Sequence, residues 1–214
     1  MSHAELDSPE PAPGGGEPVV APVRKRPKPG ERRVQILEAL ATMLEQPGAE
    51  RITTAALAAR LEVSEAALYR HFASKAQMFE GLIEFIEQSV FSLINQISER
   101  ESDGTVQASR IVAMLVQFAE KNPGMTRVMV GDALVFENER LQQRMNQFFD
   151  KVESSLKQSL RAATAADAST PTVDAQVRAS VLTAFIVGRL QRFARSGFKR
   201  LPSEHLEASL SRML

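Results

Sequence analysis

The 214-residue sequence has no cysteine, no tryptophan and a single tyrosine. Without cysteine there is no disulfide, no thiolate nucleophile and no cysteine-ligated metal, a composition that fits a reducing compartment. The signatures G-x-x-x-x-G-K-[ST], G-x-G-x-x-G and H-E-x-x-H are also missing. An enzyme is therefore not expected, and neither is a cofactor. Of the three histidines, His3 is near the N-terminus, His71 falls in the motif described below, and His205 stands beside Glu204 and Glu207. That last group reads as a solvated helix face, and no metal site is expected.

Long apolar runs are lacking as well. The longest, around Ala179 to Val187, is interrupted by Ser180 and Thr183 and is too short to span a bilayer. The opening MSHAELDSPE is acidic and has no hydrophobic signal core. The expectation is a soluble cytoplasmic protein with no membrane contact.

Neither sign of charge is in excess overall, with 26 Lys and Arg against 26 Asp and Glu, but the distribution is uneven. Residues 1–23 carry four acids and no base, and residues 24–80 carry ten bases against seven acids. The local basic excess is the part relevant to an anionic partner. Residues 1–30 contain seven prolines and four glycines, too little apolar surface to offset backbone ordering, so a disordered tail is expected there. Its basic end, from Arg24 to Arg33, packs six bases beside a single acid, Glu31.

Helical periodicity begins at Glu31. Leu37, Leu40, Ala41 and Leu44 fall on one face, and the run stops at Pro47-Gly48. Thr53 or Thr54 can cap a second, short helix, Ser64 a third reaching Phe72, and Ser74 a long fourth helix towards Ile97. Further helices are expected at about 106–121, through Val130, at 138–165, at about 173–196 and after Pro202. No run with a period of two competes, so the chain reads as all-α. Three units follow: a tail over 1–30, a three-helix domain over 31–80 and a helical bundle over 81–214. The helix around Phe185 is apolar around most of its circumference. It is expected to form a dimer interface, Gly188 permitting close approach, with a central core helix as the alternative.

Residues 54–72, TAALAARLEVSEAALYRHF, carry the spacing of a helix-turn-helix. A small residue is needed where the two helices cross, an apolar one after the turn and another inside the second helix. Ala58, Val63 and Leu68 meet those needs. The turn commonly holds glycine in a left-handed conformation; Glu62 stands there instead, at a cost of about 1 kcal/mol or more. The second helix of the motif presents Glu65, Ala66, Tyr69, Arg70 and, near its end, His71 outwards. Tyrosine can donate to a phosphate or lean on a thymine methyl, while Arg70 and Lys75 can neutralise phosphates.

Residues 31–88, above all ITTAALAARLEVSEAALYRHFASKAQMF with its Tyr-x-x-Phe and Ser-Lys, resemble the DNA-binding domain of the TetR family. The segments LIEFIEQS, FAEKNPGMTRVMVGDALVFENERLQQRMNQ and RFARSGFKRLP are similar to a branch of that family that acts in cell division. The resemblance implies a homodimer on palindromic chromosomal sites that, while bound to DNA, engages the division protein FtsZ and keeps its ring from assembling over the nucleoid. It implies no small-molecule inducer. By the same resemblance, DNA contacts fall at Thr53, Ser64, Glu65, Ala66, Tyr69, Arg70, His71 and Lys75, and the FtsZ-facing surface includes Phe85, Lys121 and Asn122. Lys121 stands where arginine is more usual, keeping the charge without the bidentate fork. Arg32 and Arg33 close a basic arm expected to follow the DNA backbone or enter a minor groove. The rival reading is a ligand-responsive repressor, in which a small molecule fills the C-terminal bundle and shifts the recognition helices.

Overall fold

A computed structural model describes residues 30–46, 51–163 and 171–214. The expected tail therefore lies outside the described residues, except for Gly30. Among the described residues there are nine α-helices, one 3-10 turn and no strand. The helices are α1 (Glu31–Leu44), α2 (Thr54–Arg60), α3 (Glu65–Tyr69), α4 (Lys75–Arg100), α5 (Gly104–Lys121), α6 (Pro123–Met129), α7 (Glu139–Ala163), α8 (Pro171–Arg195) and α9 (Leu206–Met213), with the 3-10 turn at Asp132–Leu134. The all-α expectation holds.

Helix starts follow local chemistry. The side chain of Thr53 accepts from the Ala56 N–H at 3.1 Å, Ser64 from Ala67 at 3.3 Å, and Ser74 from Gln77 at 3.2 Å. Asp103 accepts from both Thr105 and Val106, at 2.8 and 3.0 Å. Each such cap satisfies a donor that the helix itself cannot, a contribution of about 1 kcal/mol. Asn122 ends α5, and Pro123 opens α6 in the first turn, where its missing N–H costs nothing.

One apolar stripe per helix builds the core. On α7 the buried set is Leu141, Met145, Phe148, Val152, Leu156 and Leu160, and Phe149 is only half-buried. That stripe packs on α8, whose buried side carries Ala175, Ala179, Leu182, Ile186 and Leu190. α5 lies against α7 and α4, and α4 runs unbroken from the helix-turn-helix into the bundle. α8 is thus core on one side only: Val173, Val177 and Val181 on its other side are exposed.

Besides the continuous α4, α1 meets the bundle through a backbone contact with α6. A Cβ placed on Gly124 of α6 would sit 1.9 Å from the carbonyl oxygen of Ala41 in α1. Only glycine lets these helices meet at that distance, and no flexible side chain lies between them to yield. Gly124→Ala is therefore expected to destabilise the fold by about 1–3 kcal/mol or more. A thermal melt that leaves Tm unchanged would show that the α1–α6 contact is looser than described.

Candidate nucleic-acid interface

α2, the turn after it and α3 form the helix-turn-helix. Ala58 is buried at the crossing and Leu68 is buried inside α3, while Val63 is half-buried against the same core. The turn is closed by the Val63 N–H donating to the Ala58 carbonyl at 3.0 Å. Glu62 has φ 53°, the left-handed conformation that the sequence places at this position. α3 is shorter than expected: its helix ends at Tyr69, and Phe72 lies beyond it. Phe72 is nonetheless buried, because its N–H still bonds to the Leu68 carbonyl at 3.1 Å and its ring is carried into the core. The buried ring, rather than helix propensity, fixes the exit of the motif.

The outer surface of the motif carries Thr53, Ser64, Glu65, Ala66, Tyr69, Arg70 and His71, all exposed. Tyr69 is 44% exposed, with its hydroxyl 3.5 Å from Thr54 Oγ1. The Thr54 hydroxyl donates to Glu65 Oε2 at 2.6 Å, which ties α2 to the first residue of α3. Thr54 and this tie are not legible in the sequence, since eleven residues separate the two side chains and only the turn geometry brings them together. Thr53 and Ser64 both spend their side-chain oxygens as helix caps.

Two of the expected basic contacts, Arg33 and Lys75, are engaged within the chain. Arg32 and Arg33 stand in the first turn of α1 rather than on an extended arm, and the rest of the arm, residues 24–29, lies outside the described residues. Arg33 donates to the His71 carbonyl at 2.8 Å, with its guanidinium 4.1 Å from the centre of the Phe72 ring. It clamps α1 to the end of the recognition segment. Lys75 is ion-paired with Glu137, in the segment between the 3-10 turn and α7.

The same seam continues along α4 and α7. Arg140 pairs with Glu80, and Arg144 forms a fork with Glu87, its Nη2 and Nε donating at 2.6 and 3.2 Å. Hydrogen bonding to Glu87 raises the Arg144 pKa above its ordinary value, against an opposing effect of burial. At the far end of α8, burial first and the neighbouring Arg192 second lower the Arg189 pKa. Arg189 is nevertheless held to the Pro202 and Glu204 carbonyls at 2.8 and 2.6 Å. Both arginines act as structural ties.

A second exposed surface lies on α4 and α5. Phe85 is 48% exposed and does not belong to the core. Leu93, two turns along the same helix, is 37% exposed, a position that sequence reading did not single out. Its neighbours Val90 and Ile94 are buried, and an apolar residue among buried ones gives no sequence signal of exposure. Lys121 is exposed at the C-terminus of α5, where a cation meets the negative end of the helix dipole. Asn122 turns its amide back to the Phe118 carbonyl at 2.7 Å. Among the described residues there is no group of three or more His, Cys, Asp or Glu side chains placed to hold a metal ion, and no helix is long and apolar enough to cross a membrane.

The architecture is that of a TetR-type helix-turn-helix regulator. Residues 36–82 match the family described as bacterial regulatory proteins, tetR family, and residues 102–213 match the SlmA-like tetracyclin repressor-like C-terminal domain. The nucleoid occlusion factor SlmA of Idiomarina loihiensis is 51% identical over 177 residues, covering 83% of this chain and 90% of that protein. SlmA of Vibrio cholerae is likewise 51% identical over 177 residues, covering 82% and 90%. Among solved structures, a TetR-like transcriptional regulator from Rhodococcus superposes with TM-score 0.69 at 18% identity, covering 87% of this chain and 97% of that one. The regulator FadR from Bacillus subtilis, in complex with stearoyl-CoA, gives TM-score 0.66 at 13% identity, covering 84% and 96%. This chain belongs to the SlmA family of nucleoid occlusion factors.

The left-handed Glu62 carries a cost that glycine would not, so Glu62→Gly is expected to stabilise the fold by up to about 1 kcal/mol, less the extra freedom glycine gives the unfolded chain. A Tm rise of about 2–4 °C would match that gain for a domain of this size; a fall would mean that the contacts of the Glu62 side chain outweigh the backbone strain.

Proposed function

We propose that the chain acts as a cytoplasmic, nucleoid-associated homodimer that binds palindromic chromosomal sites and, while bound, inhibits FtsZ ring assembly over the nucleoid. Residues 31–80 carry the DNA contacts and residues 81–214 the dimer and partner surfaces. The observation that carries this reading is the exposure of Phe85: a large aromatic left outside the core, on the helix that leads away from the recognition segment, gives a DNA-binding protein a second face. Val173, Val177 and Val181 form the exposed stripe expected of a dimer contact, and it continues at helical spacing through Ala184 and Gly188. At Gly188 an added Cβ would meet nothing within 4 Å, so a second helix has room to approach.

In this reading each α3 enters a major groove, the two lying about 34 Å apart so as to meet successive turns of the duplex. Tyr69, Ala66 and Glu65 face base edges, and Ser64, Arg70, His71, Thr53 and Lys75 face the backbone. Arg32 and Arg33 flank the groove. The Lys75–Glu137 pair adds an exchange: phosphate competes with the Glu137 carboxylate for one ammonium group. Lys75→Ala is expected to weaken binding to all sequences alike and to reduce the slope of log K against log salt by about one. Tyr69→Ala is expected to lose roughly 1–3 kcal/mol of preference for the specific site. Titrations at three salt concentrations with specific and scrambled duplexes separate the two effects, and wild-type behaviour in both variants would remove α3 from the groove.

Phe85→Ala tests the second face. Because Phe85 lies outside the core, its truncation is expected to leave the melting curve and DNA affinity intact and to abolish disruption of FtsZ polymers in a sedimentation assay with DNA present. Loss of both activities, or of neither, counts against separate surfaces. The ligand-responsive repressor has one observation in its favour, an open cleft of about 510 Å³ bordered by Met129, Met145 and Phe149 among others. Chromatin immunoprecipitation from growing cells distinguishes the two: many sites around the chromosome fit occlusion, and one or a few promoter sites fit the repressor.

A further inference from the structure

We infer that Glu65 reads a cytosine in each half of the DNA site, its carboxylate accepting from the cytosine N4 amine. The inference rests on the proposed placement of α3 in the major groove. Glu65 is the only acid in α3, is exposed, and opens the helix at the end nearest the groove floor in such a docking. Among the described residues no basic side chain lies within ion-pair distance of it. A carboxylate in that position faces the repulsion of the DNA phosphates with no ion pair to offset it, so a hydrogen-bond donor on the DNA is what favours it there.

The Thr54 tie determines which donor. The threonine hydroxyl donates to Oε2 at 2.6 Å and thereby fixes the carboxylate plane while occupying one oxygen, which leaves Oε1 as an acceptor. Tyr69, with its hydroxyl 3.5 Å from Thr54 Oγ1, flanks the same group. In the major groove two bases carry an exocyclic amine. Adenine sets its N6 donor beside the N7 acceptor, which repels an acceptor-only carboxylate, whereas cytosine offers its N4 donor alone. Glutamine has the opposite preference, because its amide supplies a donor and an acceptor that match adenine N7 and N6 together.

The experiment is a selection of duplexes from a library randomised across both half-sites, using the full chain, Glu65→Gln and Thr54→Val, with circular dichroism confirming that each variant is folded. Wild type is expected to enrich cytosine at one position in each half-site. Glu65→Gln should shift that position alone to adenine, and Thr54→Val, which keeps the carboxylate but frees it, should relax the same position by about fivefold or more. If Glu65→Gln selects the same bases as wild type everywhere, or only gains affinity uniformly, Glu65 reads no base and the inference falls. Should Glu65→Gln fail to fold, the Thr54→Val result decides it: an unchanged cytosine preference overturns the inference and a relaxed one supports it. A wild-type protein that enriches no sequence at all would instead remove the DNA-reading proposal on which this one stands.

Discussion

The contact between Gly124 and Ala41 governs the aim of everything N-terminal to it. α1 meets α6 backbone to backbone, and α6 is packed in turn on α5 and α8. Side chains can rotate to absorb a small displacement, but two helix backbones in contact cannot, because close-packed interiors transmit strain rather than damp it. The orientation of α3 relative to the bundle is therefore set by a rigid joint. A dimer reading two half-sites depends on that rigidity, since two recognition helices can engage successive major grooves only when their separation is held.

Electrostatics reinforces the joint from the other side. Lys75–Glu137, Arg140–Glu80 and Arg144–Glu87 lie in a row, tying α4 first to the segment before α7 and then to α7 itself. These pairs are partly buried, so desolvation offsets much of the Coulomb attraction within each, and their role is one of alignment more than of stability. The pair nearest the recognition segment is the one that an incoming phosphate would disturb. Arg33 does similar work at the opposite edge, where its bond to the His71 carbonyl and its position over Phe72 hold the exit of the motif against α1. Basic residues that a sequence presents as a free arm can thus be part of the frame.

Most of the architecture is legible from residue spacing. Caps at Thr53, Ser64, Ser74 and Asp103 mark helix starts because a hydroxyl or carboxylate two or three residues ahead of an unpaired N–H is a local matter. The left-handed Glu62 is legible for the same reason: the turn demands that conformation whichever residue fills it. Less legible were the end of α3 and the connection before α8. Phe72 has a helical spacing from Leu68 but is held by burial after the helix has ended, and α8 begins at Pro171, two residues ahead of the start that the spacing predicts.

The sequence by itself determined the helical class, the helix-turn-helix and the surface of side chains that α3 presents, because each depends on neighbours within a few residues. Only the tertiary structure decided which apolar and charged residues are free. Phe85 and Val181 are exposed while equally apolar neighbours are buried, Lys75 and Arg33 are engaged while Arg70 is not, and Thr54 holds Glu65 across a turn. Those outcomes depend on residues distant in the chain meeting at one place, and helical periodicity says which face a residue occupies but not what, if anything, will cover it.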